Sequence, residues 1–151
     1  MREILLLLCA SFVCSAGFGV GFGIRPKELP IAGLVGVITR IALILAKSAM
    51  DNRVAYTMIA ALVGGIAAHI LSHRLHSTTT KFLYPAYVPI IPGDLLWHAV
   101  SALLSREMVN ASSYSAELIQ ALIGLAIGAS VIPLVFNPKQ YLKDLKKAKI
   151  Q

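Results

Sequence analysis

The sequence predicts an all-α fold, a polytopic membrane helix bundle of about five hydrophobic segments with a proline-broken fourth segment. Composition is the first reason: 57% of the 151 residues are hydrophobic and 14% are charged, with a mean hydropathy of +0.75. Soluble domains carry about 25% charged residues. Length is the second reason. The segments Ile4 to Ile24, Leu29 to Ala46, Val54 to Leu71, Phe82 to Leu104 and Leu118 to Phe136 hold 18 to 23 residues each, against the roughly 20 that cross a hydrocarbon core as helix. Short connections are the third, because they make neighbouring segments antiparallel hairpins. One bundle over residues 1–136 then leaves no room for a soluble catalytic domain.

Arg2, the apolar run to Cys9 and the small residues Ser15-Ala16-Gly17 give the first segment the outline of a signal peptide. Its apolarity continues to Ile24, longer than a typical h-region, so a retained span is expected. Cys9 and Cys14 read as free thiols inside it. Gly17, Gly19, Gly21 and Gly23 form two small-xxx-small pairs; Ala60/Gly64, Ala61/Gly65 and Gly124/Gly128 repeat the spacing in later segments. Lipid tails are as apolar as leucine, so such residues mark where helices pack closely.

The second segment carries Arg40 beside Thr39 near its middle. A central membrane arginine costs about 3 kcal/mol on insertion scales and should face the bundle interior or water. It reads as a counter-ion for a charged substrate, or as an internal partner of Asp94 or of carbonyls freed by the prolines. The third segment ends in His69, His73 and His76, spaced i, i+4 and i+7. A shared helical face there could bind zinc or copper, although no cysteine or carboxylate joins it.

The fourth segment is the most specific. Tyr84-Pro85-Ala86-Tyr87-Val88-Pro89-Ile90-Ile91-Pro92-Gly93-Asp94 sets three prolines, a glycine and a carboxylate in an apolar run. Each proline lacks an N–H and clashes with the preceding turn, so a continuous helix is disrupted. Backbone that leaves the helix at membrane depth must be buried in protein or line a watery cavity, and transporters bind substrate at such breaks. Asp94 stands where an N-cap would open a new half-helix; one turn before His98, it could equally form a proton-handling pair. Substrate binding or translocation is therefore expected of Arg40, Pro85, Pro89, Pro92, Gly93, Asp94 and His98. No catalytic residue and no cofactor is expected.

The formal charge of +7 is concentrated in Lys139, Lys143, Lys146, Lys147 and Lys149. Residues 137–151 thus read as a basic tail for an anionic cytoplasmic leaflet, not as a nucleic-acid surface. With five crossings, Arg25, Lys27, Arg74, Lys81 and the five tail lysines share one side; Arg2, Lys47, Arg53 and Arg106 share the other. The excess puts the C-terminus inside. If the fourth segment is re-entrant, both termini lie inside, with eight cations against five.

The glycine-rich first segment, the stretch Ala60-Ala61-Leu62-Val63-Gly64-Gly65, the basic loop His73-Arg74-Leu75-His76 and the pattern Pro-x-x-x-Pro-x-x-Pro-Gly together resemble the threonine/serine exporter family. The likeness is to its small subunit or C-terminal half, which has split relatives that export succinate. It covers nearly the whole chain, with departures at Asp94 and at Ser77-Thr78-Thr79-Thr80. The resemblance implies a multi-pass inner-membrane protein working with a larger subunit of the same family, as a hetero-oligomer and possibly also a homo-oligomer. The expected activity is secondary export of a small polar metabolite, threonine or serine first and a C4 dicarboxylate such as succinate second. The rival expectations are a non-transporting assembly subunit and a metal transporter using the three histidines.

Overall fold

The computed structural model describes residues 2–136, so the expected basic tail lies outside the described residues. The elements are α1 (Arg2–Gly21), α2 (Leu29–Ala49), α3 (Arg53–Arg74), α4 (Thr79–Tyr87), a 3-10 turn (Val88–Ile90), α5 (Gly93–Leu104) and α6 (Met108–Phe136). Helices α1, α2, α3 and α6 are each long and apolar enough to cross a membrane; α4 with its 3-10 turn and α5, bent by 49° at their junction, pass the same test together, as a broken span or a re-entrant loop. The five expected segments are all present. The last helix begins at Met108, not at Leu118, because Asn110, Ser112, Ser113 and Glu117 are polar yet helix-compatible, and hydropathy alone misses such a turn.

Three helices end by the same device. Gly23 is left-handed, and the N–H groups of Gly23 and Ile24 return to the carbonyls of Val20 and Gly19 at 3.0 Å each. This pairing satisfies carbonyls that the helix end would otherwise orphan. His76 does the same for α3, with Ser77 N–H donating to Ser72 O at 3.0 Å, and Arg106 for α5, with Glu107 N–H donating to Ala102 O at 2.9 Å. The second small-xxx-small pair of α1 is thereby corrected: Gly23 lies in the turn beyond the helix.

Helix α3 is central and packs against α2, α4 and α6, while α1 lies against α2 and touches α4. The interior is built of small side chains. Ala32, Ala60, Ala61, Ala68 and Ala86 are buried with Val35 and Phe82. A Cβ on Gly128 would stand 2.6 Å from that of Ala61 and 2.7 Å from the Met58 carbonyl, and one on Gly124 would collide with the Val54 carbonyl. Ser15 of α1 fits against Gly36 of α2, and Thr39 against Gly64 of α3, equally closely. Large side chains point the other way: Leu104, Val109 and Trp97 are 80%, 82% and 71% exposed. That inverted arrangement suits lipid as solvent, where close backbone approach rather than apolar burial holds helices together.

Gly128→Ala should therefore overpack the α3–α6 contact and cost about 1–3 kcal/mol, seen as a lower melting midpoint in detergent. Gly17→Ala meets nothing within 4 Å and should leave the midpoint unchanged or raise it.

Candidate functional site: the cavity at the broken helix

Pro85 is buried inside α4, Pro89 sits in the first positions of the 3-10 turn, and Pro92 is the N-cap of α5. A continuous helix would send the Gly93 N–H to the Pro89 carbonyl. Instead it donates to Ile91 O at 2.9 Å. The Pro89 carbonyl is thus released at depth, and Arg40 of α2 donates its Nη1–H to it at 2.9 Å. Of the internal partners expected for Arg40, the structure contains the freed carbonyl and not Asp94. A buried acceptor left unpaired costs about 1–3 kcal/mol, so the bond accounts at once for the arginine and for the break. The Arg40 Nε is also buried and has no protein partner among the described residues.

Beside this bond lies a cavity of about 740 Å³, within the usual range for small-molecule sites. The segment Pro89 to Leu95 forms one wall; Arg40, Leu43 and Lys47 of α2 and Arg53, Tyr56 and Thr57 of α3 form much of the rest. Arg53 is tied to Glu117 of α6 by an ion pair of 2.6 Å. Arg40 and Lys47 then share the lining with one carboxylate, Asp94, the hydroxyls of Tyr56 and Thr57, and a majority of apolar side chains.

The structure brings Arg40, Pro89, Pro92, Gly93 and Asp94 to this cavity and leaves Pro85 and His98 off its lining. Asp94 is not an N-cap. It is an exposed residue in the first turn of α5, its side chain makes no capping hydrogen bond, and Pro92 holds the cap position. A carboxylate there still favours the helix through its dipole. His98 is exposed and stacks on Tyr114 of α6 at 5.3 Å, and no hydrogen bond joins it to Asp94 among the described residues.

The histidine face also dissolves. His69 and His73 lie edge to face at 4.9 Å, but α3 ends at Arg74 and His76 turns away as its left-handed terminator. His69 packs on Phe136 at 4.0 Å. Among the described residues no group of three His, Cys, Asp or Glu side chains could hold a metal ion.

Sequence reasoning missed Lys47, Arg53 and Tyr56. The two cations sit at segment ends and counted only towards orientation; the signal was their recurrence around the α2–α3 turn, within reach of the break. Arg40→Met should strand the Pro89 carbonyl and lower the melting midpoint by several degrees. Gly93→Ala should not, because a Cβ there meets nothing within 4 Å.

The chain is similar to known proteins in the same terms. A curated relative from Haemophilus influenzae, described as an uncharacterized protein, is 26% identical over 132 residues, covering 87% of this chain and 43% of the relative. The chain therefore spans less than half the length of that relative. No solved structure matches. The family model for the threonine/serine exporter, ThrE, matches residues 7–135. With nearly the whole described bundle inside that match, the chain belongs to the threonine/serine exporter family.

Proposed function

We propose that this protein is one half of a secondary exporter for a small zwitterionic or anionic metabolite, and that the cavity at the broken helix is its share of the translocation path. The observation that carries the reading is the charge arrangement. Arg40 and Lys47 line one cavity with Asp94, against a wall of backbone already released from helical pairing. An amino-acid carboxylate would meet the cations, and its ammonium would meet Asp94. Threonine and serine satisfy both demands; a C4 dicarboxylate such as succinate satisfies only the first. The buried Arg40 Nε, without a partner among the described residues, would offer a donor to a ligand or water.

The other half is a larger membrane subunit of the same family. Two observations support it: the related protein is more than twice the length matched here, and α1 leaves Val13, Gly17, Phe18 and Gly21 exposed along one helix. The bend of 49° is a kink, not a reversal. Two half-helices of 12 residues each rise about 36 Å along their own axes, enough, even when bent, for a hydrocarbon core of about 30 Å. We therefore read the broken pair as one crossing. With five crossings, the lysine and arginine excess favours a cytoplasmic C-terminus, and the α2–α3 turn beside the cavity would then face the opposite side of the membrane.

Cells or liposomes carrying this chain with its longer family partner should export threonine or serine, and the chain alone should not; full activity alone would refute the half-transporter reading. Asp94→Asn separates the substrates. Loss of a charge-assisted contact worth about 1.5–3 kcal/mol should weaken amino-acid transport tenfold or more while sparing succinate. Equal effects on both would remove Asp94 from ammonium recognition. Pro89→Ala with Pro92→Ala restores backbone donors and should insert normally yet transport poorly.

A further inference from the structure

A second polar cavity, of about 290 Å³, lies at the opposite end of the bundle between the α1–α2 and α3–α4 connections. Arg25, Glu28, His76, Ser77, Thr78 and Lys81 line it with Leu75. We propose that it holds the phosphate of an anionic phospholipid headgroup. The inference does not rest on the transport reading.

The cavity is small and almost wholly polar, the size of a headgroup and not of a larger metabolite. Two cations, Arg25 of the α1–α2 connection and half-buried Lys81 of the first turn of α4, enter it, and among the described residues neither has a carboxylate within 4.0 Å. Placing two unpaired cations together costs repulsion that a shared anion relieves. Glu28 is the one opposing charge and leaves the lining net positive with His76 neutral. The Ser77 and Thr78 side chains add hydroxyl donors, and Thr78, the N-cap of α4, makes no side-chain cap bond that would engage its hydroxyl. His76 is fixed at a φ of 50° by the end of α3, so this rim is anchored to a helix.

The cavity also sits at the right height. Gly23 closes α1 just before Arg25, and Lys81 lies in the first turn of α4, so both cations stand where hydrocarbon gives way to headgroups. Basic pockets between helices at that level hold lipid phosphates. Lysine suits the task as a flexible point charge, arginine as a fork that takes two phosphate oxygens.

The test is native mass spectrometry of the full chain in detergent with added phosphatidylglycerol. Wild type should retain one lipid, and Arg25→Gln with Lys81→Gln should cut occupancy roughly tenfold. Arg2→Gln with Arg106→Gln, which removes the same charge from the other end, should not. Glu28→Gln should raise occupancy and keeps the proposal testable should the double variant fail to fold. Unchanged occupancy in the Arg25/Lys81 variant, or equal loss in the Arg2/Arg106 variant, would overturn it. Displacement of the lipid by millimolar inorganic phosphate would overturn the lipid assignment in favour of a soluble anion.

Discussion

The hydrogen bond from Arg40 to the Pro89 carbonyl is the constraint on which the rest of the bundle turns. Neither group is stable at depth alone: the arginine is a charge in hydrocarbon, the carbonyl an acceptor that proline has cut out of its helix. Joined at 2.9 Å, the carbonyl gains a donor and the arginine one of the acceptors it needs. The bond spans 49 positions of sequence and pins α2 to the break. Arg40 and Pro89, the two ends of that pin, both line the cavity.

Close packing makes the pin possible. Helices α2, α3 and α6 approach through Thr39 on Gly64, Ala61 on Gly128, and the Val54 backbone on Gly124. Bulkier residues there would push α2 away from the break and lengthen the Arg40 bond beyond use. Lipid supplies no hydrophobic drive to draw helices together, so dispersion across these seams carries the association. The small residues of the interior and the released backbone of the fourth segment are two parts of one solution. The first lets helices meet; the second gives the meeting point its chemistry.

The spans were legible because hydropathy over some twenty residues is nearly a length measurement. The break was legible because three prolines admit few alternatives, and Arg40 drew notice through its cost. The errors have a common physical origin: sequence spacing assumes the helix continues. His76 seemed to share a face with His69 and His73, but α3 stops at Arg74 and the backbone turns left-handed. Gly23 seemed to pack like Gly19 for the same reason. Asp94 was read as the cap but lies two positions beyond it, because a carboxylate can serve a helix N-terminus from its first turn as well as from its cap. Lys47 and Arg53 were invisible as site residues because nothing in one dimension says which helix ends fold over a cavity.

The central claim is that the broken helix opens a space reached by water and substrate. Its most direct measurement is cysteine accessibility at Ile91, a lining residue of the break. Cys9 and Cys14 are both exposed, so the measurement needs them replaced by alanine, with Ile91→Cys compared against the outward-facing Leu122→Cys in membranes containing the partner half. A membrane-impermeant maleimide should label position 91 and not position 122, and saturating threonine should slow the labelling of 91. Labelling of neither position, or labelling of 91 that no candidate substrate slows, would contradict the account.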